Sequence, residues 1–393
     1  MISISTQAQT VTALFYGAKG DGVTDDSKAF NSFFKSKNSE LVLLKNKTYR
    51  IKKKLQLGSN KTILGNDAKI IGDYNLEELF VGIDKNAVTI KNVVLVGSHY
   101  GNQTAFLLKN VSNFSFENSK MNEFSSANKF KLGIFCEGNC DNMIVKNNQI
   151  NNISGTESGS GYAIHITDSK NFQFLNNVFK AEKGDGRHAI YLSSGSQNGL
   201  VSNNEMYNYD CGAIQLYSFY YQNPTKNNVL ENNLISGCNN RFDFEGAITI
   251  FQNCNNNIIR NNTIKNSGAY GILLSGDTLH APMSKCMNNE IFGNKIESCV
   301  SAGIATWGAH NTKIIQNEIS NSNWNNKDKT LTALGVYNDV NNNGNNEGTE
   351  VADNIVLNNP NCRFDIRIYS DTNGNVSVKG NKTRGDRLID YKK

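Results

Sequence analysis

The sequence of 393 residues has few prolines, little net charge and no long apolar run. Its three prolines exclude a proline-rich linker between modules, which favours a single domain. No apolar stretch approaches the length that crosses a bilayer, which argues against a membrane partner. A net charge of +5 on such a chain does not indicate nucleic acid, although it is compatible with an acidic polysaccharide.

The cysteines and the first residues restrict the cellular setting. No two of the eight cysteines have zinc-finger spacing, and Cys136 and Cys140 have no histidine partners nearby in the sequence. We therefore predict buried or partly buried free thiols, which weakly disfavours an oxidising compartment. Residues 1–5 show no basic region leading into an apolar core, so no secretory signal is predicted.

A short phrase returns along the chain and defines a repeat. It reads GYAIHI at residues 161–166, RHAIYL at 187–192, CGAIQL at 211–216 and EGAITI at 245–250. A repeat with a spacing of roughly 20 to 50 residues is typical of a solenoid. Apolar residues alternate within each phrase, which is the periodicity of a β-strand rather than of a helix.

A second repeat, an Asn followed two residues later by an apolar side chain, runs out of phase with the first. Asn and Gly dominate the segments between strands, where they tolerate the left-handed conformation that a corner needs. The two repeats predict an all-β, single-stranded, right-handed parallel β-helix with an internal ladder of stacked Asn side chains. The ladder positions are Asn148, Asn177, Asn204, Asn233, Asn262, Asn294 and Asn317.

The segment FYGAKGDGVTDDSKAF at residues 15–30 is the most specific stretch of the chain. We predict a tight turn, a helix N-cap at Asp25 or Asp26, and a short amphipathic helix that closes the open end of the β-helix. The apolar face of this capping helix is formed by Ala29, Phe30, Phe33 and Phe34.

This segment resembles the N-terminus of the pectate-lyase-like superfamily, which includes polysaccharide lyases, phage tailspike glycosidases and alginate C5-epimerases. Residues 49–51, which follow an apolar run at 41–44, resemble the first strand pair of that superfamily. The resemblance implies a single β-helix domain over residues 1–393, with a cap at about 12–40 and coils at about 41–393.

The same resemblance implies an extracellular or virion-associated protein that acts on a polysaccharide. It also leaves a homotrimer open, although the trimerisation segments that tailspikes generally carry are not visible in this sequence. The ordered motifs of polygalacturonases and the Asp-Pro-His motif of alginate epimerases are missing. The resemblance therefore implies a fold and a substrate class but no particular reaction.

Strand alternation assigns the side chains of each phrase to two faces. Ile164, Ile166 and their equivalents should face the core, whereas the residues between them should face outward. A flat outward strip flanked by polar and aromatic side chains suits a groove for a linear sugar chain. Packing of small residues between coils is the structural alternative. The strip consists of Ala163, Ala189, Ala213 and Ala247.

Segments of different length lead into these strands and are expected to form the walls of the groove. An aromatic excursion at residues 217–222 is interpreted either as a surface for sugar stacking or as a hydrophobic lid over a corner. The predicted substrate-binding residues are Gln215, Tyr217, Tyr220, Arg241, Thr249, Trp307 and Trp324.

One candidate catalytic set suits β-elimination of a uronate. This reaction needs a base for the C5 proton, an acid for the leaving oxygen, and groups that neutralise the carboxylate. His165 and Tyr191 are neighbours in one outward row and are the candidate base and acid. Arg187 and Gln215 are the candidate neutralising groups. A surface histidine and an exposed ion pair between Arg187 and Asp185 are the alternative interpretations.

A second candidate set suits glycoside hydrolysis. Asp243 and Glu245 share one face of a strand entry, and Asp210 lies one coil earlier. Two carboxylates in one cleft have their pKa values pushed apart, which supplies an acid and a base. Solvated loop acids that cap nearby backbone are the alternative interpretation.

Neither set requires a cofactor, and none is predicted. The segment from Asp339 to Asn346 is the nearest approach to a Ca²⁺ loop, but it is not a convincing one. His188 should turn toward the corner or the core and is interpreted as structural. We predict a depolymerase of an acidic, uronate-containing polysaccharide, acting by β-elimination in preference to hydrolysis or C5-epimerisation. A non-catalytic carbohydrate-binding β-helix is the rival from a different class.

Overall fold

The structure is a computed structural model that describes residues 10–98, 103–126, 131–155, 161–182, 186–219, 222–239, 244–276, 286–325, 332–337, 346–369, 376–384 and 389–392. The chain forms the predicted right-handed parallel β-helix, with about 11 turns and, in these described ranges, one short α-helix. The strands pair in parallel with their equivalents on neighbouring coils, because each coil repeats the same path one strand spacing further along the axis.

Each coil contributes strands to three stacks, which we number in the order in which the chain passes through them from Leu55 onward. The first stack comprises Leu55–Gln56, Lys131–Glu137, Tyr162–Thr167, His188–Ser193, Ile214–Tyr217, Gly246–Phe251, Tyr270–Ser275, Ile304–Trp307, Thr332–Tyr337, Phe364–Tyr369 and Ile389–Lys392. The second comprises Thr10–Thr12, Glu40–Val42, Ile144–Lys146, Gln173–Leu175, Leu200–Ser202, Val229–Glu231, Ile258–Arg260, Glu290–Phe292, Lys313–Ile315, Glu350–Ala352 and Ser377–Lys379. The third comprises Asp21–Asp25, Thr48–Ile51, Lys120–Asn122, Gln149–Asn151, Val178–Lys180, Glu205–Tyr207, Leu234–Ser236, Thr263–Lys265, Lys295–Glu297, Glu318–Ser320 and Ile355–Val356.

Three long strands turn corners without a break and so join the stacks near the N-terminal end. They are Lys61–Gly72, Glu78–Val96 and Thr104–Glu117. Three short two-stranded pairs lie at other corners. These pairs are Ser125–Ser126 with Ser154–Gly155, Thr225–Lys226 with Cys254–Asn255, and Cys286–Met287 with Ala309–His310.

The core is one continuous column of stacked apolar side chains. Ile164 and Ile166 are fully buried, and so are their equivalents on the following coils, as the alternation predicts. Aromatic rings stack in the early coils, where the rings of Phe80 and Phe106 lie 4.9 Å apart. Such stacking in register buries apolar area on every coil without requiring a thick globular core.

The predicted Asn ladder is present at the corner between the second and third stacks. Each side-chain amide donates to the side-chain oxygen of the Asn on the next coil at 2.9–3.0 Å. The residue before each ladder position turns the corner, as Asn147 does with a φ of 57°. The ladder runs through Asn148, Asn177, Asn204, Asn233, Asn262, Asn294, Asn317, Asn354 and Asn381.

A short helix, Ser27–Lys35, covers the N-terminal end of the column as predicted, and its buried side chains include the four predicted apolar ones. Asp25 accepts a hydrogen bond from the backbone N–H of Ser27 at 3.0 Å. Asp26 instead binds backward, where its carboxylate accepts from the N–H groups of Lys19 and Gly20 at 2.7 and 3.1 Å. A 3₁₀ turn, Ala13–Tyr16, precedes the helix.

The expectation of free thiols was wrong for one pair of cysteines. Cys136 and Cys140 form a disulfide, because a tight turn brings their Cα atoms to 6.4 Å, which is within bonding reach. The other six cysteines are free and buried, as predicted.

Candidate functional site

The outer face of the first stack carries the predicted site. Parallel pairing places His165, Tyr191, Gln215 and Thr249 on successive coils in a single row. The prediction of an outward-facing alanine strip was wrong. Its members are at most 1% exposed and belong to the main core cluster: Ala163, Ala189, Ala213 and Ala247. The strip therefore packs inward instead of facing a ligand.

His165 and Tyr191 lie side by side at the centre of this face. Their ring centroids are 4.6 Å apart, and the His165 ring is also 5.2 Å from that of Phe135 on the preceding coil. Nε2 of His165 lies 3.0 Å from Oγ of Ser193, whose hydroxyl donates to the Ile166 carbonyl. We assign the proton to Nε2 on this basis, which leaves Nδ1 as the basic nitrogen.

Tyr162 and His188 complete an aromatic cluster that the sequence did not predict. The Tyr162 ring stacks on Tyr191 at 4.9 Å and lies 5.1 Å from His165. The His188 ring stacks on Tyr162 at 5.6 Å and lies 5.8 Å from Tyr191. His188 was expected to be structural only, but its ring also lies against the candidate catalytic pair. Its only sequence signal is that two later phrases carry glycine, Gly212 and Gly246, at the equivalent position.

The burial of this cluster shifts its pKa values. Burial raises the pKa of Tyr191 well above its ordinary value and that of Tyr162 to about 12, so both phenols stay protonated at neutral pH. Burial, assisted by the Arg187 charge, lowers the pKa of His188 to about 3. Nδ1 of His188 donates to the Gly212 carbonyl at 2.8 Å, which fixes the neutral tautomer with an unprotonated Nε2.

Arg187 and Glu245 form the charged edge of the cluster. The Arg187 guanidinium lies over the Tyr162 ring, 6.0 Å from its centroid. Glu245 is only 2% exposed, and burial raises its pKa although the Arg187 charge and the Gly212 N–H oppose the shift. Within the described part of the chain, Oε2 of Glu245 has no hydrogen-bond partner. A buried carboxyl of this kind is suited to hold a proton.

The other predicted residues of this face differ in their exposure and in their contacts. Gln215 is 6% exposed and interacts with His188. Tyr217 is partly exposed, lies 6.4 Å from Tyr191 and contacts Phe219 edge to face at 4.7 Å. The prediction that Thr249 binds substrate was wrong. Thr249 is fully buried, and its hydroxyl is hydrogen-bonded to the backbone of Gly246, so it does not face a ligand.

Asp210 lies in the segment that enters the first stack, and it is 7% exposed. Its backbone N–H donates to the Gly186 carbonyl at 2.9 Å, which ties the segment to the preceding coil. Three predicted site residues, Tyr220, Arg241 and Asp243, lie outside the described residues. The carboxylate set is therefore represented in the structure by Asp210 and Glu245.

The two tryptophans lie in different places. Trp307 is in the same row as Tyr217, three coils further along, where it stacks on Tyr337 at 4.8 Å. Trp324 is 51% exposed and belongs to the corner that precedes the first stack. It lines a cavity of about 360 Å³ together with Asn208, Gly237, Asn266, Ser267, Gly268 and Val300.

Within the part of the chain that the structure describes, no three His, Cys, Asp or Glu side chains are grouped so as to hold a metal ion. Asp339, the start of the weak Ca²⁺ candidate, lies outside that part. Among the described residues, no helix is long and apolar enough to cross a membrane.

Comparison with known families identifies the class of this protein. The chain belongs to the pectate lyase-like family described as Rhamnogalacturonase A/epimerase, whose model matches residues 11–243. A second family model, described as Periplasmic copper-binding protein (NosD), matches residues 151–354. The superfamily expected from the N-terminal segment is thereby confirmed.

Individual relatives are distant. Polygalacturonase-2 of Solanum lycopersicum is 24% identical over 226 residues, which cover 50% of this chain and 47% of that protein. The chain thus spans about half the length of this curated relative.

Solved structures with the same architecture come from several kinds of protein. The A-module of mannuronan C-5 epimerase AlgE6 of Azotobacter vinelandii has a TM-score of 0.66 and 13% identity, covering 96% of this chain and 100% of that one. The catalytic unit of a GH87 alpha-1,3-glucanase of Streptomyces thermodiastaticus has a TM-score of 0.64 and 13% identity, with coverage of 97% and 71%. The Dettilon tailspike protein has a TM-score of 0.64 and 15% identity, with coverage of 98% and 68%. At these identities the likeness shows the fold alone.

Proposed function

We propose that this protein is an extracellular or virion-associated enzyme that cleaves an acidic polysaccharide by β-elimination at a uronate. Its membership in the Rhamnogalacturonase A/epimerase family supports action on a polysaccharide. The observation that carries the reaction type is the contact between His165 and Tyr191, beside Arg187, on one outward face. This arrangement offers an imidazole as base, a protonated phenol and a cation within one cluster.

In the proposed reaction, His165 takes the C5 proton of the uronate. The electron pair forms a double bond between C4 and C5, and the bond from C4 to the glycosidic oxygen breaks. Tyr191 donates its proton to that leaving oxygen, for which its raised pKa keeps it protonated. Arg187 and Gln215 bind the carboxylate and stabilise the charge that develops on it.

Ser193 gives His165 its direction in this scheme. Its hydroxyl accepts from Nε2, which fixes the tautomer that leaves Nδ1 unprotonated. The rings of Phe135 and Tyr162 hold the imidazole in place from two sides.

Hydrolysis is the second candidate and rests on Glu245. Its raised pKa is a property expected of a general acid, and Asp210 would supply the second carboxylate. C5-epimerisation would share the first proton transfer with elimination but would return a proton to the opposite face without breaking the chain. A carbohydrate-binding β-helix would use the same aromatic face without chemistry.

Point variants separate these candidates. Under elimination, His165→Ala and Tyr191→Phe should each lower kcat by at least about 10²-fold, the usual contribution of general acid–base catalysis. Arg187→Ala should be similarly harmful, and Asp243→Asn should be mild. Under hydrolysis, Asp243→Asn and Glu245→Gln should be the damaging changes, and Tyr191→Phe should be tolerated.

Matched controls come from the third and second stacks. Tyr207→Phe removes a phenol hydroxyl that is bonded to Glu205, and Arg260→Ala removes a guanidinium that is paired with Glu231. Both should leave kcat within about twofold. Full activity in all five site variants would contradict both catalytic assignments. Binding of a polymer by the wild type without any product would favour the binding module.

A further inference from the structure

The cavity beside Trp324 lies at the corner between the third and first stacks, away from the proposed reaction site. Its volume of about 360 Å³ falls within the range of about 300–1,000 Å³ that is typical of small-molecule sites. None of the described residues that line it belongs to the aromatic cluster around His165 and Tyr191. A ligand in this cavity therefore occupies a second site and does not extend the first.

The corner that forms the cavity lacks a side chain in a row of polar residues. Parallel pairing of the third-stack strands aligns the first residue after each strand on successive coils. Gly237 leaves room in this row between two asparagines that lie two coils apart, which corresponds to about 10 Å. The row consists of Asn208, Gly237, Asn266, Ser298 and Asn321.

The side-chain amides on both sides of Gly237 are not used by the fold. Further along the row, the amide of Asn321 donates to the Ser298 hydroxyl at 2.8 Å. The amides of Asn208 and Asn266, by contrast, make no hydrogen bond within the described part of the chain. The side-chain oxygen of Asn208 lies 2.7 Å from the position that a Cβ on Gly237 would take. Both amides can therefore donate to a ligand and accept from it.

Trp324 supplies the aromatic part of the lining. Its carbonyl accepts from the side chain of Asn361 on the following coil at 2.9 Å. The N–H of Asn323 donates to the Ser301 carbonyl on the preceding coil at 3.1 Å. These two bonds hold the segment in place, although Trp324 itself is 51% exposed. Its ring is a fixed surface that a ligand can cover without repacking the core.

We propose that this cavity is a non-catalytic binding site for one uncharged sugar ring. Trp324 covers the C–H face of the ring, since aromatic faces match such apolar surfaces. Asn208 and Asn266 bind its hydroxyl groups, which donate and accept hydrogen bonds as the amides do. No charged side chain is among the described residues that line the cavity, so a carboxylate or phosphate would lack a counter-charge there.

The inference goes beyond the proposed reaction and does not depend on it. The outer face offers the Arg187 cation to a uronate, whereas the described lining of the cavity is uncharged. Binding of a neutral sugar at the cavity should therefore persist in His165→Ala, with a Kd within about twofold of the wild type. Failure of the elimination reaction would leave this site standing, and failure of the site would leave the reaction standing.

Trp324 reports on its own occupancy. The chain has two tryptophans, so the Trp307→Phe variant leaves Trp324 as the single one. In that variant, its fluorescence is titrated with two matched pairs of sugars, galactose with galacturonate and glucose with glucuronate. We expect at least one neutral sugar to shift the emission to shorter wavelength, with a Kd at least about tenfold lower than that of its uronate. No shift with either neutral sugar, or a uronate that binds as tightly as its neutral partner, overturns the proposal.

Variants at the cavity test its contacts by ligand-observed NMR, which does not need tryptophan emission. Trp324→Ala should raise the Kd of the neutral sugar at least about tenfold, and Asn266→Gly should raise it about threefold to tenfold. Glycine is compatible with the φ of 54° at Asn266. Asn261→Gly, at a different corner with the same φ of 54°, is the matched control and should leave the Kd within about twofold. An unchanged Kd in both cavity variants, or loss of binding in Trp307→Phe, overturns the site.

Discussion

The imidazole of His165 and the phenol of Tyr191 lie on adjacent coils with their ring centroids 4.6 Å apart. Residues that act as one unit in a reaction give losses that do not add. We expect the double variant His165→Ala/Tyr191→Phe to have a kcat within about tenfold of the worse single variant. Steady-state kinetics of the four proteins measures this coupling.

Independent contributions would give a different result. If the losses multiply, so that two losses of about 10²-fold give about 10⁴-fold together, the two side chains do not share one proton-transfer sequence. The pair Tyr207→Phe/Arg260→Ala, on other stacks, serves as the additive control.

His188 should make the stability of the protein sensitive to pH. Burial lowers its pKa from 6.5 to about 3, so below pH 6.5 the unfolded chain binds a proton that the folded protein excludes. Stability should therefore be highest above this window and fall as the pH drops through it. Each pKa unit corresponds to about 1.4 kcal/mol. Between neutral pH and about pH 4, the free energy of unfolding of His188→Gln should therefore fall by about 2–3 kcal/mol less than that of the wild type. Parallel urea-unfolding profiles of the two proteins would contradict this.

The buried Asn ladder should contribute more to the free energy of unfolding than the corner residues that precede each ladder position. In Asn233→Ala, the amide groups of Asn204 lose their acceptor and the Val201 carbonyl loses its donor. We expect a destabilisation of about 2–4 kcal/mol, because buried groups are left unsatisfied. Asn232→Gly at the neighbouring corner should cost less than about 0.5 kcal/mol, since its φ of 54° suits glycine. Equal losses of unfolding free energy for the two variants in chemical denaturation would contradict this role of the ladder.

The capping helix should be held by its buried face. Phe33 is fully buried, contacts the Tyr16 ring and lies beneath the Lys61 ammonium. Phe33→Ala should destabilise the protein by about 3–5 kcal/mol. Phe15→Ala, in the same segment but with the ring 70% exposed, is the matched control and should be nearly neutral. A small effect at Phe33 would mean that the cap is not coupled to the column.

The fold was predictable because its signals repeat. The spacing of Asn148 and Asn177 relative to apolar strands recurs on every coil, so a single local rule fixes the corner, the register and the core. The capping helix was predictable from the spacing of Phe30 and Phe33. The disulfide between Cys136 and Cys140 was not, because it depends on how one turn closes.

The site was predictable only in part. The row of His165 and Tyr191 follows from strand alternation, which held for these residues. Alternation failed two residues earlier, at Ala163, which is buried in the core cluster together with its neighbour Ile164. The rings of Tyr162 and His188 contact the row, although both residues are an odd number of positions from it. Sequence periodicity cannot report such contacts, because they depend on the packing of neighbouring coils.

The central claim, that this face eliminates a glycosidic bond at a uronate, is tested most directly by ultraviolet absorbance during digestion of a panel of uronic-acid polymers. Elimination creates a double bond between C4 and C5 that absorbs, whereas hydrolysis and binding do not. We predict a steady rise in absorbance with the wild type on at least one polymer and at least about a 10²-fold slower rise with His165→Ala. New chain ends without any rise in absorbance, or an equal rise with His165→Ala, would contradict the account.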